Sequence, residues 1–325
     1  QIIFFTTITF KALIAYFDFA ILFTLASGKP EDFISCVVPA TAGRPLEAVQ
    51  LILEGISTWI GRKGLEIHVA GAGTTWAGRK FVGKIIGADL ILDEITAHAR
   101  AAVQLHPEVD TVIEIGGQDS KFMTLRDGQV TLSVMNSVCA AGTGSFVEEQ
   151  AQRLGVPVVE YGERTRGHAS PLASERCTVF MERDLNHYLR EGYETNEVLA
   201  AVLHSVRENY LNKVAVEAAM GDTIAFQGAT ARNRALVAAF EQKLKRPIFV
   251  SKYCHLTGAL GVALLLREDP PDGTRFRGIG DDIRKNSTRS RIYRELLEIK
   301  HRLDPEGLFT SDLARRVGID PTQQR

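Results

Sequence analysis

Cysteine is scarce in this chain: four in 325 residues, too few for the disulfide framework of a small secreted protein. An excess of charge of one sign is also missing. Lys plus Arg number 38 against 39 Asp plus Glu, a formal net charge of -1, and no basic block stands out. Electrostatic attraction to nucleic acid or to an anionic membrane surface therefore has no basis here. Uninterrupted apolar runs of membrane-spanning length are lacking too. The opening QIIFFTTITFKALIAYFDFAILFTLAS is very apolar, but Lys11, Asp18 and several threonines break it, so it reads as buried strands rather than a span. A signal peptide would want a basic start and a small-residue cleavage site, and neither is clear in it. Low-complexity tracts and close internal repeats are absent. A reduced, cytoplasmic setting is the expectation, in which a special cysteine is a metal ligand or a nucleophile.

What is present is a chain with 45% hydrophobic and 24% charged residues, long enough for two lobes. Strand signals and helix signals alternate from about residue 30 to 267. FISCVV (33–38) is strand-like and holds Cys36, and a helix is expected from about Leu46 to Ile60. LEIHVAG (65–71) is expected as a strand leading into the glycine-rich AGAGTTWAGRKF. ADLIL (88–92) is a short strand, and Asp93 can cap the helix of EITAHARAAVQL. VDTVIEIGG (109–117) is a β-branched strand ending in two glycines. KFMTL and VTLSVM form a hairpin around Asp127-Gly128. Helices are expected at 143–154, 178–190, 194–219 and 232–244, with strands TIAFQG (223–228) and PIFVS and a last helix LTGALGVALLLRE. DPPDG (269–273) is a break before a charged helical tail. The pattern is α/β with covered sheets.

Three glycine turns follow strands or open helices: IEIGGQDSK (113–121), FQGATARN (226–233) and LTGALG (256–261). Glycine lets backbone amides approach a phosphate without a Cβ in the way, and a nearby carboxylate or amide can hold Mg²⁺ or orient water. Each turn alone is more often a simple corner, whereas three in one α/β chain suggest a nucleotide site. The run NSVCAAGTGSF (136–146) sets Cys139 against Gly142, Thr143 and Gly144. Judged from the residues alone, a free cysteine is usually a small buried hydrophobe, and that reading holds for Cys36 and Cys254. Glu94 and His98, one helical turn apart, read as a surface or interlobe hydrogen bond rather than a metal pair. Arg183, Asp184 and His187 read as a solvated face or, more sharply, as a docking surface.

Taken in order, EIGGQDSK, NSVCAAGTGSF, SERCTVFMERDL (174–185), FQGATARN and TGALGVALL resemble the activator ATPases of 2-hydroxyacyl-CoA dehydratases. That family includes the ATPase subunits of benzoyl-CoA reductase, and it sits within the acetate-and-sugar-kinase, Hsp70 and actin superfamily. The resemblance covers about residues 30 to 268. It implies a two-lobed RNase H-like α/β fold around a central nucleotide cleft. The lobes are expected at 1–108 and 109–253, with a helix at 254–268 returning to the first and a linker and tail at 269–325. It implies ATP or ADP with Mg²⁺, phosphates against Gly116 and Gly117, and Gln118, Asp119 and Glu114 as catalytic or Mg²⁺-positioning groups. Gly142, Thr143 and Gly144 would also face the nucleotide, and Gly228, Ala229, Gly258 and Gly261 would form an adenosine wall. Cys139 and Cys177 would ligate one [4Fe-4S] cluster shared by two chains, because two thiolates per chain make a Cys₄ set only in a dimer. Each cysteine is expected directly before a helix, whose N-terminus favours thiolate. The implied partners are a second copy, a dehydratase or CoA-ester reductase, and reduced ferredoxin or flavodoxin as donor, with no nucleic acid or membrane.

The resemblance fails at the start. The family opens with a DxGST-type phosphate turn, and residues 1–30 contain only Asp18 with no Gly-Ser-Thr after it. Half of the phosphate clamp is then missing from the sequence. Two other readings therefore stand beside an electron-transferring ATPase: a small-molecule kinase of the same superfamily, and a degenerate module kept for cluster binding or docking.

Overall fold

The computed structural model describes residues 67–76, 78–136 and 140–277, the strand segments 2–9, 19–25 and 33–38, and positions 49 and 53. Two compact units emerge, one of Gln1–Leu92 with Leu266–Arg325 and one of Asp93–Leu265. The division falls before the helix capped by Asp93, where sequence reading set the boundary at 108.

The first unit carries a five-stranded sheet of β1 (Ile2–Thr9), β2 (Phe19–Leu25), β3 (Phe33–Val38), β4 (Ile67–Thr75) and β5 (Leu90–Ile91), in the order β3-β2-β1-β4-β5. β1, β2 and β3 pair antiparallel, whereas β4 lies parallel to both β1 and β5. The described segments of the apolar opening are thus strands, as expected. β4 runs past the expected end of its strand at Gly71: it continues through Ala72, Gly73, Thr74 and Thr75, with Ala72, Thr74 and Thr75 all 0% exposed. A strand flanked on both edges has its amides paired, and small residues pack against covering helices without a side chain to bend the backbone. α1 (Arg79–Ile86) follows and ends at Gly87 in the left-handed region, φ 71°. Val49 and Leu53 are helical and buried at i,i+4 spacing; the rest of the helix expected at 46–60 lies outside the described residues, as does the tail after 277.

In the second unit, β6 (Thr111–Ile115), β7 (Ser120–Arg126), β8 (Gln129–Met135), β9 (Ile224–Gln227) and β10 (Ile248–Phe249) form a sheet in the order β10-β9-β6-β7-β8. β6 to β8 are an antiparallel meander and β9 and β10 join parallel. Both sheets therefore share one plan: three antiparallel strands, then two parallel strands added on the side of the first. This is the RNase H-like arrangement expected, present twice although no repeat is visible in sequence. Asp127 and Gly128, with φ of 51° and 75°, make the tight turn between β7 and β8 that a twisted hairpin prefers.

The helices of this unit are α2 (Glu94–Leu105), α3 (Gly144–Arg153), α4 (Tyr161–Arg164), α5 (Thr178–Arg190), α6 (Thr195–Lys213), α7 (Arg234–Leu244) and α8 (Thr257–Glu268), the last running on into the first unit. Asp93 caps α2, accepting from the Thr96 amide at 3.0 Å. One sheet face buries Ile113, Ile115, Phe122 and Phe226 with Phe146 of α3, Val206 and Tyr210 of α6 and Phe240 of α7. The Phe240 ring makes edge contacts with Phe226 and Tyr210 at 5.4 and 5.6 Å. The other face buries Val112, Met123 and Leu125 against Ala99 and Ala102 of α2. One expected helix is shorter than its sequence pattern: the one expected at 194–219 ends at Lys213. A three-residue 3₁₀ turn, Ala140–Gly142, precedes α3.

Candidate nucleotide site

The second unit gathers its glycines at the end of β6. Gly116 and Gly117 turn the chain between β6 and β7, the Gly116 amide bonding the Asp119 carbonyl at 2.9 Å. The first amides of α3 reach this turn: Gly144 donates to the Gly116 carbonyl and Ser145 to that of Gly117, both at 2.8 Å, and the Ser145 hydroxyl also donates to the Gly117 carbonyl. A Cβ on Gly144 would come within 3.1 Å of the Gly116 oxygen and 2.9 Å of Thr230 Cγ2. Thr230 in turn donates to the Ile115 carbonyl at 2.7 Å. Gly228, at the end of β9, has φ 92°, and a Cβ there would lie 2.2 Å from the Ile115 oxygen. Three segments that are far apart in sequence thus meet main chain to main chain, at approaches only glycine permits. Among the described residues the amides of Gly117 and Gln118 have no hydrogen-bond partner, and both residues are half-buried. A short loop with open amides at the end of a sheet is a cradle for an anion.

Charge sits directly behind the turn. Glu114 and Lys121 face each other across β6 and β7. Both side chains are 0% exposed, with Lys121 Nζ 2.9 Å from Glu114 Oε2 and 3.0 Å from Asp119 Oδ1. Burial pushes the Lys121 ammonium toward neutrality, yet the two carboxylates outweigh it and hold its pKa above the usual 10.5. Glu114 is therefore engaged by an internal cation, while Asp119, 24% exposed, stands at the mouth of the turn beside Gln118. His98, 3% exposed, lies on the same sheet face, its Nδ1 3.0 Å from Gln227 Oε1 and 2.9 Å from Thr257 Oγ1. The Thr257 hydroxyl donates to the Cys254 carbonyl at 3.1 Å, so it accepts at Nδ1 and that nitrogen carries the proton. The Glu94 and His98 pair resolves into a buried histidine that ties α2 to β9 and α8 within one unit.

Gly142 and Thr143 are buried. Gly142 packs against Asn209 of α6, whose Oδ1 a Cβ at 142 would approach to 2.7 Å. Ala229 is exposed beside Gly228 in a 3₁₀ turn, Ala229–Arg232. Gly258 is buried on α8, and Gly261 packs on α2 so closely that a Cβ would lie 1.8 Å from the Ala97 carbonyl oxygen.

Cys177 is half-buried and occupies the N-cap of α5 with extended backbone, φ -156° and ψ 145°; it is a free thiol. That is the helix-start position expected of it. Cys139 lies outside the described residues; a 3₁₀ turn, Ala140–Gly142, and then α3 from Gly144 follow it. Cys254 is 2% exposed and burial raises its pKa, as expected of an inert core thiol. Among the described residues no three His, Cys, Asp or Glu side chains gather as a metal site. Sequence reading passed over Lys121, Ser145, Thr230 and Asn209. Only Lys121 left a signal, as the residue of the hairpin opposite Glu114.

Residues 37–266 match the BadF/BadG/BcrA/BcrD ATPase family. The chain is 34% identical over 225 residues to an uncharacterized protein of Methanocaldococcus jannaschii, covering 67% of this chain and 54% of that relative. It is 33% identical over 179 residues to the 2-hydroxyisocaproyl-CoA dehydratase activator of Clostridioides difficile, covering 54% of this chain and 67% of the relative. It thus spans about half the length of the first of these relatives and two thirds of the second. Among solved structures, the activator of the 2-hydroxyisocaproyl-CoA dehydratase from Clostridium difficile with bound ADPNP superposes with a TM-score of 0.69 at 27% identity, over 83% of this chain and 95% of that one. No described helix is long and apolar enough to cross a membrane. The matched stretch takes in every glycine turn and both cysteine segments, and the chain belongs to the BadF/BadG/BcrA/BcrD ATPase family.

Proposed function

We propose that this chain binds ATP on the glycine turns of its Asp93–Leu265 unit and couples hydrolysis to one-electron delivery to a 2-hydroxyacyl-CoA dehydratase or a related CoA-ester reductase. One observation carries the nucleotide half of this reading: Gly144 and Gly228, neither with room for a Cβ, close on the main chain of Ile115, Gly116 and Gly117. The amides of Gly117 and Gln118 receive the β- and γ-phosphates. Asp119 holds Mg²⁺ at the mouth of the turn and Gln118 orients the attacking water. Glu114 acts through Lys121, keeping that ammonium buried behind the phosphates. Gly258 and Gly261 are assigned to the adenosine side together with Gly228 and Ala229.

Cys177 fits the proposed cluster ligand. It is a free, half-buried thiol at a helix start, flanked by the apolar side chains of Val179 and Phe180 at 69% and 47% exposure. A helix N-terminus stabilises thiolate. With Cys139 it gives two thiols per chain, so four thiolates require a homodimer. A [4Fe-4S] cluster held by these thiolates would supply low-potential one-electron chemistry, with reduced ferredoxin or flavodoxin as the donor. Support for the acceptor comes from the dehydratase activator to which the chain is similar.

Calorimetric titration with ADPNP and Mg²⁺, followed by ATP hydrolysis assays, tests the nucleotide half. Wild-type chain should bind ADPNP. Gln118→Ala should bind it within about threefold yet hydrolyse ATP about 100-fold more slowly, as loss of a group that orients the nucleophile would. A folded wild-type chain that takes up no ADPNP would overturn the proposal.

A further inference from the structure

One residue of α6 reaches two of the segments on which function turns. Asn209 is 5% exposed among apolar neighbours of the same helix, including Val202, Val206 and Tyr210. Leucine would pack there at lower cost, since a buried amide is tolerated only when its polar atoms are used. Asn209 Nδ2 donates to the Glu175 carbonyl, two positions before Cys177, while its Oδ1 stands against Gly142, the residue that leads into Thr143 and Gly144. A Cβ at position 142 would crowd this oxygen to 2.7 Å. The adjoining helical positions reinforce it. Tyr210, 0% exposed, donates to the Lys121 carbonyl at 2.7 Å, directly behind the Gly116–Asp119 turn, and Lys213 Nζ donates to the Arg176 carbonyl at 3.0 Å.

We infer that Asn209 is a positioning residue that transmits displacement of the glycine turn to the Cys177 segment. The carboxamide is planar and rigid, with its acceptor against one segment and its donor on the other. Gly144 and Ser145 grip the Gly116–Gly117 turn through two main-chain hydrogen bonds, so a shift of that turn on binding phosphate moves α3 and, with it, Gly142. Gly142 then presses on Oδ1, and the amide rotates or withdraws from the Glu175 carbonyl. Cys177 begins α5 two residues later, so its exposure follows the state of the turn. The inference rests on the nucleotide reading above and adds to it the element that links the two segments.

The test uses the full 325-residue chain, purified without iron, and reads alkylation of Cys177 by iodoacetamide through peptide mass spectrometry, with and without ADPNP and Mg²⁺. In the wild type ADPNP should change the Cys177 rate by about fivefold, the factor set by making or breaking one hydrogen bond. Asn209→Ser should reduce that change to less than about twofold while ADPNP affinity stays within about threefold. Gly142→Ala, which crowds Oδ1 directly, should shift the Cys177 rate in the absence of nucleotide, and Asn209→Ser should cancel that shift in the double variant. This second arm stands even if Asn209→Ser alone is poorly folded. A full nucleotide response in Asn209→Ser, or a wild-type chain that binds ADPNP with no response at Cys177, overturns the coupling alone. Absence of ADPNP binding overturns the nucleotide reading, and the coupling with it.

Discussion

Replacing Lys121 by Met leaves Glu114 as a carboxylate in the core with its cation gone. Both side chains are 0% exposed and 2.9 Å apart, so neither regains water when the other is removed. Breaking such a pair from one side costs about 3–5 kcal/mol, far more than the 0–1 kcal/mol of an exposed pair. Removing both charges costs much less, because the desolvation penalty disappears with them. The double variant Glu114→Gln/Lys121→Met should therefore be more stable than Lys121→Met alone, by about 2 kcal/mol or more. Urea unfolding followed by circular dichroism reads this as a change in midpoint at constant slope. The pH dependence has a definite sign. The folded pKa of Lys121 is raised, so its contribution is fully present below the usual 10.5 and is lost as pH rises through the folded value. The wild-type advantage over the double variant should hold at pH 7 and 9 and shrink above about pH 10.5. A Lys121→Met chain within about 1 kcal/mol of wild type would refute the reasoning, and would mean that Glu114 takes up a proton at little cost.

Gly228→Ala should destabilise the second unit by about 2–4 kcal/mol and abolish ADPNP binding, since φ is 92° and the added carbon meets the Ile115 oxygen at 2.2 Å; denaturation and calorimetry on the same sample check it. Gly261→Val should separate α8 from α2, where even a Cβ would lie 1.8 Å from the Ala97 oxygen, and should lower the melting temperature by several degrees, or about 2 kcal/mol. Burial raises the Asp89 carboxylate's pKa, but hydrogen bonds from the Arg275 amide, the Thr274 hydroxyl and the Ala72 amide outweigh this and lower it below the usual 3.8. That stabilisation is present above the unfolded value and lost as pH falls through the folded one. Asp89→Ala, which removes the acceptor at any pH, should raise tryptic cleavage after Arg275 about tenfold, as loss of charge-assisted hydrogen bonds predicts.

Much of the second unit was legible because its signals are local. The β-branched run of β6, the Asp127-Gly128 turn and the Asp93 cap each act over a few residues, and each stands where its chemistry puts it. β4 runs past the end expected for it at Gly71 because pairing to β1 on one side and β5 on the other keeps the backbone extended through Gly73. The end of α6 at Lys213 came early because Val214 and the residues after it turn into a short 3₁₀ segment, Glu217–Ala219, with nothing in the helical period to announce it. At the site, the glycines were visible and their partners were not. Thr230 finds the Ile115 carbonyl across 115 positions, and Asn209 meets Gly142 and Glu175 through packing that no spacing rule encodes. The duplicated sheet plan was hidden for a similar reason, since strand order is set by which edges pair and not by repeated residues.

Anaerobic reconstitution with iron and sulfide, read as iron per chain with electronic spectra, tests the central claim most directly. The account predicts about two irons per chain in a dimer, one [4Fe-4S] cluster shared between two copies, and loss of that iron in either Cys139→Ser or Cys177→Ser. A well-folded wild-type chain that retains no iron would contradict it, and would leave a nucleotide-binding member of this ATPase family without the means to pass on an electron.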